Sequence, residues 1–149
     1  MTEPKCTIII PALPPSKNKW ASKHHMAQHR MFNEWRELVF GMQSEVIWQE
    51  SIERPIKGKV AIGITFYFPD NRRRDSRNYD CYPPLLDSLT MEVMGKDKIT
   101  GFPAIKKHGL CILEDDNNDV LLWNPTTMIV DKDLSPRTEI KIWKVEGWK

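Results

Sequence analysis

Apolar residues in this chain recur in patterns that each specify an element. Val60, Ile62, Ile64, Phe66 and Phe68 alternate strictly with smaller or more polar neighbours, which is the period of a strand with one face buried. From about Gln28 to Glu50, Phe32, Trp35, Val39, Met42 and Val46 follow one another at spacings of 3 and 4, one stripe of an amphipathic helix. The run KCTIII at 5–10 is β-branched and stopped by Pro11, so it reads as a strand entering a loop. Leu85, Leu86, Leu89 and Val93 again have helical spacing. Pro83 and Pro84 fit only the first turn of that helix, since each lacks the N–H that a helix interior uses. Asp80 therefore precedes that helix or opens it, and the chain from Asn78 to the prolines is expected to be non-helical. The segment 95–109, with GKDK, GFP and KKHG, reads as a loop or irregular insertion. Strands are expected at 120–122 with 128–130 and at 138–145. The resulting order is β-α-β-α-β-β: a single α+β domain over 1–149, with helices packed on a mostly antiparallel or mixed sheet.

Composition supports one domain with a real core and little else: 149 residues, 40% hydrophobic and 28% charged. Cys6, Cys81 and Cys111 are far apart and lack CxxC spacing, so neither a disulfide framework nor a zinc knuckle is indicated. The N-terminal apolar run is too short for a signal peptide, and no segment reaches the roughly 18 apolar residues of a membrane span. A cytoplasmic protein without membrane association is expected. The chain has no Walker loop, Rossmann fingerprint or G-x-S-x-G elbow, so a small-molecule cofactor is not expected. His24, His25 and His29 fit no standard zinc spacing and are expected to be solvated or phosphate-facing.

The charge is segregated although the formal net charge is only +2. RRRDSRNYD at 72–80 crowds Arg72, Arg73, Arg74 and Arg77 around Asp75 and Asp80, and Lys17, Lys19 and Lys23 sit in and after the PPSKN loop. A second cluster, LEDDNNDV at 113–120, holds Glu114, Asp115, Asp116 and Asp119. Either alone suits a solvated face. Together they suggest more, because a sheet pairing the strand that ends before Asp75 with the strand that starts after Asp119 would gather carboxylates at one edge. Gathered acids repel one another unless a hard cation joins them. Flanking arginines would then meet nucleic-acid phosphates.

Four stretches taken in order, PPSKN, RRRD, LLDSLT and GLCILEDD, resemble the RusA family of Holliday-junction resolvases. The resemblance runs from about Ile8 to Val145. It implies a homodimeric endonuclease of phage or prophage type that uses Mg²⁺, with Mn²⁺ as a substitute, to hydrolyse phosphodiesters in four-way or branched DNA during recombination and repair. Carried over residue by residue, the family's catalytic acids match Asp75, Asp115 and Asp116. Asn78 matches the asparagine of its acidic motif, and Asp87 matches a helix aspartate. Arg77 stands where the family has a second acid. Three readings of that departure follow: Asp80 replaces the missing ligand, Asn78 ligates through its carbonyl, or the protein binds junctions without cutting them. The expected metal set is thus Asp75, Asp115, Asp116, Asp80, Asn78 and Asp87. Arg72, Arg73, Arg74, Arg77, Lys17, Lys19 and Lys23 form the expected DNA-contacting set. The family's lysine after the asparagine has no counterpart, and 94–107 is an insertion.

Overall fold

A computed structural model describes residues 3–48, 55–72, 74–75, 77–80, 84–90, 93–107, 109–113, 121–133 and 136–145. Strand β1 (Cys6–Ile10) enters the proline loop, where Ser16 accepts the Lys19 N–H at 3.1 Å and starts the short helix α1 (Lys17–Ala21). Helix α2 (His25–Gly41) follows, then a 3-10 turn at Gln43–Glu45 and strand β2 (Ile47–Trp48). β3 (Val60–Phe68) is the long alternating strand, and two short helical segments come next, α3 (Arg77–Asp80) and α4 (Pro84–Asp87). The chain closes with β4 (Val93–Lys96), β5 (Pro103–Lys107), β6 (Leu121–Trp123), β7 (Thr127–Val130) and β8 (Arg137–Lys144).

The main sheet has six strands in the order β2-β1-β8-β3-β6, with β7 also on β3. β8 lies between β1 and β3 and runs antiparallel to both, whereas β6 and β7 run parallel to β3. The α+β class and the mixed sheet with helices packed on it are therefore as expected, while the order carries more elements than β-α-β-α-β-β. Alternation decides which face is inside: Ile8, Ile10, Val60, Ile62, Ile64, Phe66, Phe68, Ile140 and Ile142 are buried, in one cluster with Trp35 and Val39 of α2. On the other face Ile47, Thr7, Lys141 and Gly63 share one register row and Ile9, Glu139, Thr65 and Thr127 the next. The Trp143 ring lies over Gly63 so closely that a Cβ there would meet it at 3.0 Å, which accounts for a glycine in mid-strand. No helix among the described residues is long and apolar enough to cross a membrane.

Four boundaries depart from the sequence reading. The helix expected to reach Glu50 stops at Gly41, because Val46 enters the core and Ile47 and Trp48 pair antiparallel with Thr7 and Cys6. An apolar stripe at spacings of 3 and 4 cannot distinguish continued helix from a β-branched and aromatic pair that covers a strand edge. The helix expected through Val93 is a single turn. Beyond it, Ser88 Oγ and Thr90 Oγ1 donate to the carbonyls of Leu85 and Asp87, the local competition that ends helices. The Ser88, Leu89 and Thr90 carbonyls accept from the N–H groups of residues 110–113 instead. The expected loop at 95–109 contains the antiparallel hairpin β4–β5. The segment expected to be non-helical up to the prolines contains α3, with Asp80 inside it.

β6 and β7 are one strand interrupted. Ile62 pairs with Trp123 but Thr65 pairs with Thr127, so residues 124–126 oppose two residues of β3. One extra residue makes this a bulge, which bends the strand and re-aims its side chains.

Candidate nucleic-acid interface

The loop leaving β3 is tied down before it reaches Asp75. Asp70 accepts the Arg72 N–H at 3.2 Å and the Arg74 guanidinium. Arg74 Nη1 also donates to the carbonyls of Asp70 (3.0 Å) and Arg72 (3.1 Å), while its guanidinium stacks 4.1 Å over the Phe68 ring. Arg74 is only 13% exposed as a result, against 83% for Arg72 and 82% for Arg77. The three described arginines of the run therefore do different work: Arg74 braces the loop, whereas Arg72, whose Nε lies 3.3 Å from Asp70 Oδ2, and Arg77 are largely exposed. The hydrogen bond from Arg74, followed by that from the Arg72 N–H, holds the Asp70 carboxyl below the usual aspartate range. Sequence reading missed Asp70, whose signal is an aspartate four residues before an arginine at a strand exit.

Asp75 starts α3. Its Oδ1 accepts the Arg77 N–H at 3.0 Å, its carbonyl accepts the Asn78 N–H at 3.0 Å, and its Oδ2 faces Arg77 Nη2 at 3.5 Å. The Arg77 backbone N–H, then the Arg77 side chain, lowers its pKa from the ordinary value. Asp75 is thus an exposed, ionised carboxylate with a cation already on it.

The remaining residues of α3 point three ways. Tyr79 packs on Phe66 and Phe68, with ring centroids 5.7 and 5.2 Å away, and so seats the turn on the end of β3. Asn78 Oδ1 accepts the Asn18 N–H at 3.0 Å. Asn18 lies in the first turn of α1, where backbone N–H groups have no partner within the helix, so Asn78 caps from 60 residues away the helix that Ser16 caps locally. Asp80 Oδ2 accepts the Thr126 hydroxyl at 2.7 Å, joining α3 to the bulge.

Two hollows result. One, of about 350 Å³, is lined by Lys17 and Asn18 of PPSKN and by Asp75, Arg77 and Asn78 of RRRDSRN. The other, of about 580 Å³, is lined by Asp80, Trp123, Asn124, Pro125 and Thr126, and Trp123 is 43% exposed. Neither Trp123 nor Thr126 was a candidate from sequence, since the bulge that turns them towards Asp80 exists only once β6 and β7 pair with β3.

No family profile, curated protein or solved structure matches the chain.

The other expected site residues lie apart or outside the described set. Asp87 faces Arg36 of α2 at 3.9 Å, and Arg36 is buried, with its Nε and Nη2 lacking hydrogen-bond partners among the described residues. Burial lowers the Arg36 pKa and the Asp87 charge partly offsets this. Lys19 and Lys23 are exposed on and after α1. His24 accepts the Met26 N–H at the start of α2 and stacks near His25, with ring centroids 4.3 Å apart. Arg73, Asp115, Asp116 and the rest of 114–120 lie outside the described residues. Among the described residues, no three His, Cys, Asp or Glu side chains converge.

As to a hard cation, the oxygens of Asp75 and Asp80 are of the right chemical type. Asn78 is less suited, because its carbonyl is already engaged in capping α1.

Proposed function

We propose that the protein is a divalent-metal-dependent endonuclease acting on branched DNA, of the type the RusA family represents. The observation that carries this reading is the hollow that joins Lys17 and Asn18 of the proline loop to Asp75, Arg77 and Asn78 of the arginine run. Stretches some 60 residues apart in sequence, each basic, meet around one exposed carboxylate. Such a site suits a phosphodiester: two cations for the non-bridging oxygens and an acid beside them.

Lys17 and Arg77 would hold the phosphate, with Arg77 exchanging the Asp75 carboxylate for a phosphate oxygen as DNA enters. Asp75, freed of its partner, offers the hard donor that Mg²⁺ or Mn²⁺ takes, and Asp115 and Asp116 are the further candidates. A divalent ion bound there would supply charge neutralisation and a water of lowered pKa. Arg72 extends the positive surface along the backbone, and the bracing of Arg74 against Asp70 and Phe68 fixes where that surface points. Action as a homodimer on a four-way junction belongs to the same reading, since a two-fold protein suits a near two-fold substrate.

A second reading, a junction-binding protein that does not cut, is favoured by one feature: Arg77 already engages Asp75, donating its backbone N–H to one carboxylate oxygen and setting its guanidinium against the other. A labelled four-way junction titrated with Mg²⁺ separates the two. The expected outcome is magnesium-dependent cutting that Asp75→Asn and Asp116→Asn each abolish, with binding retained or tightened because a charge that repels phosphate is gone. Binding without cutting at any Mg²⁺ concentration would favour the second reading, and a fully active Asp75→Asn would overturn the site.

A further inference from the structure

The hairpin β4–β5 is a built arm with a bare apolar tip. Its root is clamped: the N–H groups of Leu110, Cys111, Ile112 and Leu113 donate to the carbonyls of Ser88, Thr90 and Leu89, and Leu89, Leu110, Ile112 and Leu113 are buried. From that root the strands pair Gly95 with Ala104 and Lys96 with Pro103.

The turn at the end is internally wired. Asp97 Oδ1 accepts the N–H groups of Ile99 (2.8 Å) and Thr100 (2.9 Å), the Asp97 N–H donates to the Phe102 carbonyl, and the Gly101 N–H donates to the Asp97 carbonyl. Gly101 takes a φ of +74° that side chains rarely adopt. This ordered turn presents Ile99 at 96% and Phe102 at 71% exposure. Two large apolar side chains held out on a fixed turn gain nothing within the fold, and a tip of this kind gains free energy only when a partner covers it.

Charge selects the partner. The segment 93–107 has four lysines, at 96, 98, 106 and 107, and one acid, Asp97. That carboxylate is occupied by the turn N–H groups, which keep its pKa below the ordinary value. A second copy would bring the same positive arm and repel it. A nucleic acid would bring phosphates for the lysines and, between bases, an apolar slot for the tip.

We propose that the arm is a wedge, inserting Ile99 and Phe102 between base pairs at the branch point of DNA while Lys96 and Lys98 hold the flanking phosphates. The proposal rests on the reading of the protein as a branched-DNA ligand and gives the insertion at 94–107 a purpose. Apolar side chains are known to part base steps in this way. The unstacking cost is least where the stack is already interrupted, so the wedge favours a branch over a continuous duplex.

The test uses the full chain without divalent ions and 2-aminopurine beside the branch of a four-way junction, in the middle of a linear duplex, and beside a mismatch in a third DNA. Wild type should raise the junction and mismatch signals at saturation and leave the duplex signal flat. The double variant Ile99→Ser with Phe102→Ser changes only exposed positions. It should bind linear duplex as wild type does, lose the rise, and bind the junction about 10-fold more weakly, whereas Phe102→Trp should keep the rise. A wild-type rise from the double variant overturns the wedge, as does junction binding by wild type with no rise. Wild type that is dimeric where the double variant is monomeric also overturns it, placing the tip between copies. If wild type prefers no branched DNA, the proposed function falls, and the mismatch signal then decides the wedge separately.

Discussion

Arginines that look equivalent in sequence are made unequal by what each can reach. Arg74 has the Asp70 side chain, two carbonyls and the Phe68 ring around it; Arg72 and Arg77 each have one carboxylate, of Asp70 and Asp75, and otherwise water. A planar guanidinium with five donors suits the first position and a lysine would not reproduce it. Arg74→Lys and Asp70→Asn are therefore expected to lower the melting temperature at neutral pH, and Arg72→Gln to leave it unchanged. The sign with pH follows from the depressed Asp70 pKa. The contribution is fully present above the unfolded aspartate value of about 3.9 and is lost as pH falls through the lower folded value. Thermal melts of wild type and Asp70→Asn should accordingly converge in acid. A gap that persists at the lowest pH would mean that Asp70 acts through something other than its charge.

Elements in this protein are terminated and capped by partners from far along the chain. α1 is only five residues long and would not persist alone; it is held by Ser16 locally and by Asn78 from α3. Asn78→Ala is expected to cost about 1 kcal/mol in chemical denaturation and to weaken junction binding, because Lys17 loses its fixed position. Asn78→Asp keeps the acceptor and should restore most of both. If Asn78→Ala left stability unchanged while abolishing metal-dependent cutting, its role would be ligation instead of capping. Strict alternation made β3 legible in advance, and the β-branched run did the same for β1. The end of α2 was not legible, because Val46 fits both the helical stripe and the start of a strand. The hairpin at 93–107 was hidden as well: glycines, lysines and a proline read as loop, and only Asp97 and Gly101 acting together close its turn.

For the molecule as a whole, the net charge of +2 says little, while its placement says more. Lys17 and Arg77 are exposed on the Asp75 hollow and Arg72 is exposed three residues before Asp75, whereas Arg74 is internally bound. Affinity for duplex arms should fall with salt, and neutralising Lys17, Arg72 or Arg77 to glutamine should each flatten the slope of log affinity against log salt by about 0.9. Arg74→Gln should leave that slope alone among molecules that remain folded. Equal slope changes for all the arginines would show that Arg74 leaves Asp70 and Phe68 when DNA binds.

The sequence by itself determined the class of fold, the inward face of each long element and the two polar clusters, since alternation, helical stripes and charge runs are local properties that survive whatever the chain does next. It also supplied the family resemblance on which the reading of Asp75, Asp115 and Asp116 depends. Tertiary structure alone decided which polar groups were already spent. Asn78 caps α1, Asp87 answers a buried Arg36, and Asp80 takes the Thr126 hydroxyl. Each of those partnerships joins residues whose distance in space is set by how the helices pack, or by the bulge at 124–126. A hydrogen bond depends on separations of about 3 Å, and no pattern along the chain encodes such a distance between residues that the fold must first bring together.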